Sequence, residues 1–122
     1  MTFNENKPIF IQIAERICDE ITQGTYKENE RIPSVREYAM IVEVNANTVM
    51  RAYDWLQAQN YIFNKRGIGY FVSDNAVNDI RKSRNDLFRE GEMKDFFRKA
   101  HMLHITPEEI FKEYNNYLTQ EK

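Results

Sequence analysis

Isoleucines at 9, 13, 17 and 21 recur every fourth residue in the stretch PIFIQIAERICDEITQ, with Phe10 and Ala14 beside them. One apolar stripe at that spacing predicts an amphipathic helix over 8–23, with Pro8 in its first turn and Gly24 at its C-terminal end. Glu15, Arg16, Asp19 and Glu20 fill the opposite side as ordinary solvated surface. A second helix is expected over 34–42, SVREYAMIV. There Ser34 followed three places on by Glu37 makes a capping box, and Tyr38, Ala39, Ile41 and Val42 supply the inward side. After the interruption Glu43-Val44, Asn45 is a good N-cap for a third helix, ANTVMRAYDWLQAQ, with Val49, Ala52, Tyr53 and Leu56 on one face. Two short helices joined by a tight turn read as helix-turn-helix.

The period then changes. Asn60 suits a left-handed helix end, and YIFN, KRGIG and YFVS read as strand, turn and strand, with Gly67 and Gly69 supplying the backbone angles of a hairpin tip. Three helices followed by a hairpin predict a winged helix-turn-helix over 1–75. Beyond it the strand signals vanish. Val77, Ile80, Arg84, Leu87 and Gly91 follow helical spacing with Phe88 beside them, and Gly91 is expected to break that helix. A stretch over 92–103 offers Met93, Phe96, Phe97, Ala100 and Leu103. Thr106-Pro107-Glu108-Glu109 opens a last helix whose stripe is Ile110, Phe111, Tyr114 and Leu118. The fold class is therefore mainly α: a winged helix-turn-helix followed by an all-helical region over 76–122.

Some 46 residues of amphipathic helix can hardly make a self-sufficient core. The apolar faces call for the first domain or a second copy of the chain, and large aromatics favour a tight interface. A homodimer is expected through Val77, Ile80, Leu87, Phe88, Phe96, Phe97, Phe111 and Tyr114.

Composition narrows the classes. The 122 residues hold 17 Lys+Arg against 19 Asp+Glu, a net charge of −2, so any anion site is local rather than a blanket coat. One cysteine, Cys18, excludes an internal disulfide and four-cysteine zinc motifs and fits a reducing cytoplasm. No apolar run approaches the ~20 residues of a membrane helix, and MTFNENKP lacks the parts of a signal peptide. The expected location is cytoplasmic, at the nucleoid when bound to DNA, with no membrane partner. His101 and His104 share a helix face but read as the polar end of a helix, not as metal ligands. With no phosphate-binding loop, dinucleotide fingerprint or nucleophile elbow, catalysis is not expected, nor a cofactor.

The chemistry that remains is nucleic-acid recognition. Ser34 and Arg36 lie in the first turn of the second helix, where free amides and a guanidinium can meet phosphate. Asn45, Ala46, Asn47 and Thr48 start the third helix, the end a helix-turn-helix inserts into the major groove, and Arg51 lies one turn on. An Asn amide can read adenine, and Ala or Thr can touch a thymine methyl. Lys65, Arg66 and Gly67 stand at the hairpin tip, where a cation can enter the minor groove. Between Asn45 and Gly69 the cations Arg51, Lys65 and Arg66 meet one acid, Asp54. The competing class is a winged-helix module that binds protein, motivated by the acidic overall balance.

The span from Pro8 to Val72, about 65 residues, resembles the DNA-binding domain of the GntR family of bacterial transcriptional regulators, most specifically in IPSVRE, NTVMRAY and KRGIGYFV. The short helical tail and NANTVMRAY resemble its YtrA-like subgroup. The resemblance implies a repressor that binds a two-fold symmetric operator as a dimer, with Arg36, Asn45, Asn47, Thr48, Arg51, Arg66 and Gly67 at the DNA. It departs from the family at Ala46 and Met50, where many members carry arginine, and at Glu43 and Asn60, where glycine is frequent. The tail is too short for the large ligand-binding domain of other subgroups, so a small-molecule effector would have to bind among the aromatics of the dimer interface.

Overall fold

The computed structural model describes residues 1–121. Six α-helices and one hairpin follow in order: α1 (Ile9–Thr22), α2 (Val35–Val42), α3 (Ala46–Ala58), β1 (Ile62–Lys65), β2 (Gly69–Val72), α4 (Ala76–Phe88), α5 (Lys94–Met102) and α6 (Pro107–Gln120). Two compact units divide within α4, the first being Met1–Ser83 and the second beginning at Arg84.

Local chemistry sets the helix ends of the first unit. Pro8 stands just outside α1 as its N-cap, and Gly24 closes that helix at φ +88°. At α2 the Ser34 hydroxyl accepts the Glu37 N–H at 3.1 Å while the Ser34 N–H donates to Glu37 Oε1 at 2.8 Å, completing the expected box. Asn45 Oδ1 accepts the Asn47 N–H at 2.7 Å at the head of α3. Glu43, in the turn between them, sits in the left-handed region at φ 57°, ψ 49°. A side chain there costs about 1 kcal/mol relative to an unstrained residue. Asn60 ends the α3 segment at φ 64°.

The core forms where α1, α2 and α3 cross under the hairpin: Ile13, Ile17 and Ile21, Tyr38 and Val42, Val49, Tyr53 and Leu56, with Ile62 and Val72 closing it. Its two polar tips are satisfied, since the Tyr38 hydroxyl donates to Glu20 and that of Tyr53 to the Pro33 carbonyl, each at 2.6 Å. Two stripe residues stand outside. Ile9, in the first turn of α1, and Ile41, rotated about 60° off the Tyr38 side of α2, are both exposed.

The hairpin is antiparallel, pairing Ile62 with Val72 through Lys65 with Gly69. Its second strand has a further partner that has no signature in the sequence. The Ile32 N–H donates to the Tyr70 carbonyl at 2.9 Å and the Val72 N–H to the Glu30 carbonyl at 3.0 Å, which sets Arg31 opposite Phe71. The wing is a two-stranded hairpin whose second strand is edged by this short segment.

The start of α4, which carries the expected interface positions Val77 and Ile80, packs into the first unit. Ala76 and Ile80 are buried in the first unit's core and Val77 packs against it, because the helix leaves the hairpin with its apolar side turned inward. Ile80 is 1% exposed and has no face left for a second chain. The core therefore takes in residues beyond the expected limit at 75.

In the second unit the expected break at Gly91 is absent. Arg89–Met93 form one π-helical turn, flanked by helical backbone at Phe88 and Lys94, so the chain stays helical from Ala76 to Met102. Gly91 has no positive φ and open space where a Cβ would stand. His104 ends α5 at φ 59°, and Thr106 with Glu109 caps α6 as expected, with Pro107 in its first turn. Ala100 is buried, while Leu87, Phe88, Phe96, Phe97, Phe111 and Tyr114 are exposed, from 49% for Phe97 to 71% for Leu87.

Candidate nucleic-acid interface

At about 100° per residue, Asn47, Arg51 and Asp54 fall opposite the buried Val49, Ala52 and Leu56, so the exposed face of α3 carries the polar groups expected of a groove-entering helix. Ala46 and Asn47 are exposed at its head, and Thr48 is half-buried towards the flank. Asn45 is exposed, although one side of its amide is engaged as the cap. Ser34 is half-buried and its hydroxyl is committed to α2. Arg36 is exposed on that helix's first turn.

Arg51 is held by an aromatic ring. Its guanidinium lies over the Phe10 ring, 4.3 Å from the centroid, a contact worth roughly 0.5–1 kcal/mol at an exposed position. Phe10, an α1 stripe residue by its spacing, thus packs beside the functional surface. Met50, one residue back, meets the wing: the Tyr70 hydroxyl stands 4.0 Å from its sulfur, and the Tyr70 ring packs edge-on against Tyr53 at 4.9 Å. Burial, then the nearby Asp54 charge, pushes the Tyr70 phenol up, so it remains a neutral donor.

At the wing, Lys65, Arg66 and Gly67 are exposed, with Gly67 at φ +79° turning the tip. Phe63, Lys65, Gly69 and Phe71 share the outward face of the hairpin, because paired residues and their i+2 neighbours lie on one side. The Lys65 ammonium folds over Phe71, 4.6 Å from its centroid, and Phe63 and Phe71 stack at 5.7 Å. Arg31, opposite Phe71, emerges on this same face, and a Cβ on Gly69 would come 2.8 Å from its Nε. Sequence pattern alone misses Arg31, since the edge pairing that aims it joins residues 40 apart in the chain. Among the described residues, Arg31, Arg36, Arg51, Lys65 and Arg66 enter no ion pair within 4 Å. Their charges face solvent rather than internal carboxylates.

Among the described residues no group of three or more His, Cys, Asp or Glu side chains could hold a metal, and no helix is long and apolar enough to cross a membrane. Cys18 is buried in the core.

Residues 11–72 match the family model "Bacterial regulatory proteins, gntR family". The chain is 31% identical over 103 residues to the HTH-type transcriptional repressor YtrA of Bacillus subtilis, covering 84% of this chain and 78% of that one. It superposes on a GntR-family transcriptional regulator from Bacteroides thetaiotaomicron with a TM-score of 0.85 and 48% identity, over 94% of this chain and all of that one. It is also similar to the DNA-binding domain of AraR in complex with operator ORR3, at TM-score 0.54 and 26% identity over 60% of this chain and 88% of that domain. The chain belongs to the GntR family, as a YtrA-like winged-helix transcriptional regulator that binds DNA and is not an enzyme.

Proposed function

We propose that the protein is a repressor that binds a palindromic operator as a homodimer, with α3 in the major groove and the wing at the minor groove. The observation that carries this reading is that Arg36, Arg51 and Arg66, on a single winged unit, form no ion pair among the described residues. Each keeps an exposed charge although the unit as a whole is nearly neutral. Asn45, Ala46, Asn47 and Thr48 enter the groove, where Asn reads adenine and Ala46 offers a methyl to thymine. Ser34 and Arg36 hold a phosphate at the head of α2, and Lys65, Arg66 and Gly67 track the minor groove.

The dimer forms through the second unit, whose Leu87, Phe88, Phe96, Phe97, Phe111 and Tyr114 are exposed in one chain. Apolar surface of this kind is rare on a monomer and is covered by association. Any effector acts among these aromatics. The protein works in the cytoplasm, at the nucleoid when on its operator.

A shift assay on genomic fragments tests the reading. Arg51→Ala and Arg66→Ala should each weaken binding by roughly 1–3 kcal/mol. Tight, specific retardation left unchanged by both substitutions contradicts it, and no retardation at low salt favours a protein-binding module instead.

A further inference from the structure

We propose that Arg31 is an additional phosphate-binding residue of the DNA interface, carried over the wing by the missing side chain of Gly69. The inference rests on the DNA-binding reading above and extends it to a residue outside both the helix-turn-helix and the hairpin.

Three observations converge. The backbone of Glu30–Ile32 edges β2, so Arg31 stands opposite Phe71 and projects from the outward face of the wing, the face that also presents Lys65. Its guanidinium stem then runs diagonally along that face onto Gly69. Its Nε lies 2.8 Å from where a Cβ would stand, so any other residue at 69 would push the Arg31 side chain off this path. Gly69 pairs directly with Lys65, so the path of Arg31 leads towards the wing's basic tip rather than away from it.

The third observation concerns charge. Arg31 is exposed and, among the described residues, in no ion pair within 4 Å. Yet its field reaches Glu37 at the head of α2. The hydrogen bonds from Ser34 chiefly hold that carboxyl below its usual range, and the charge of Arg31 adds to them. Arg31 therefore stands on the wing, which carries Lys65 and Arg66, within electrostatic reach of the first turn of α2, which carries Arg36. A duplex seated on both elements brings phosphate within reach of this guanidinium. Arginine suits the place because its fork can grip two phosphate oxygens while its stem lies flat on the strand.

The test is the salt dependence of binding to a 40-base-pair mixed-sequence duplex, which reports phosphate contacts without knowledge of the operator. Each lost phosphate contact lowers the slope of log affinity against log salt by about one and the affinity by about tenfold at 0.1 M salt. Arg31→Gln should show both effects with unchanged thermal melting, and Arg31→Lys should restore the slope because it restores the charge. A slope in Arg31→Gln equal to that of the parent overturns the assignment while leaving the DNA reading intact. Failure of the parent protein to bind the duplex at low salt overturns both.

Discussion

Ser34 has two duties in this molecule, and they can be separated at a single atom. Its hydroxyl accepts the Glu37 amide and its own N–H donates to the Glu37 carboxylate, so it fixes where α2 begins and hence the direction of Arg36 two residues on. Ser34→Ala should cost about 1 kcal/mol in urea unfolding at neutral pH. The Glu37 carboxyl is held below its ordinary value first by the Ser34 backbone N–H, which the variant keeps, and then by the Ser34 hydroxyl, which it loses, so only the hydroxyl's interaction with the carboxylate is full above the ordinary carboxylate range and lost as pH falls through the depressed value. The gap between parent and variant should therefore narrow in acid, and a gap that widens below about pH 4 would contradict the capping role. Features of this kind are legible in sequence because they are local: Ser34 with Glu37, Asn45, Thr106 with Glu109, and the glycines of the hairpin tip all act within a few residues of themselves. Arg31 is not legible, because its direction is set by pairing with β2. Ile80 is legible only as a member of a stripe, because periodicity gives a face without saying what the face meets.

Elements show the same limit in the second unit. A glycine flanked by charged residues reads as a helix end, and Gly91 is such a glycine. The chain instead takes one π-helical turn at Arg89–Met93 and continues. The extra residue in that turn rotates α5 back by about 100°. In an unbroken α-helix Phe96, Ala100 and Leu103 would lie opposite Leu87. After the correction they fall on the same broad side as Leu87 and Phe88. The sequence held the clue in the phase difference between the two apolar stripes, which a break and a π turn resolve equally well. The turn makes a directional prediction. Deleting Gly91 removes the extra residue while keeping the two stripes in phase, so the variant should retain its helicity by circular dichroism and its association state by sedimentation. Inserting one alanine after Gly91 rotates the stripes a further ~100° apart and should abolish association. Equal tolerance of both changes would mean that the alignment is of no consequence.

At the scale of the whole molecule, the proposed operator binding depends on two winged units acting together, since one unit presents only a single recognition helix to a half-site. Two half-sites one helical turn apart, roughly 34 Å, require a second copy held at fixed spacing, and the second unit carries the exposed aromatics that could hold it. Phe96 and Phe111 are 53% and 68% exposed in the single chain, so charging them removes no internal packing of comparable size. Phe96→Asp combined with Phe111→Asp should therefore leave the melting of the winged unit unchanged while shifting sedimentation at micromolar concentration from dimer to the 14.7 kDa monomer. Joining two weak half-site contacts through one interface raises overall affinity by about 100-fold or more without any new contact to DNA. The double variant should lose that factor on a two-fold symmetric site and lose nothing on an isolated half-site, where parent and variant present the same surface. Loss on both sites would place Phe96 and Phe111 in the support of the DNA-binding surface itself, and a parent protein that sediments as a monomer would remove the dimer from the mechanism altogether.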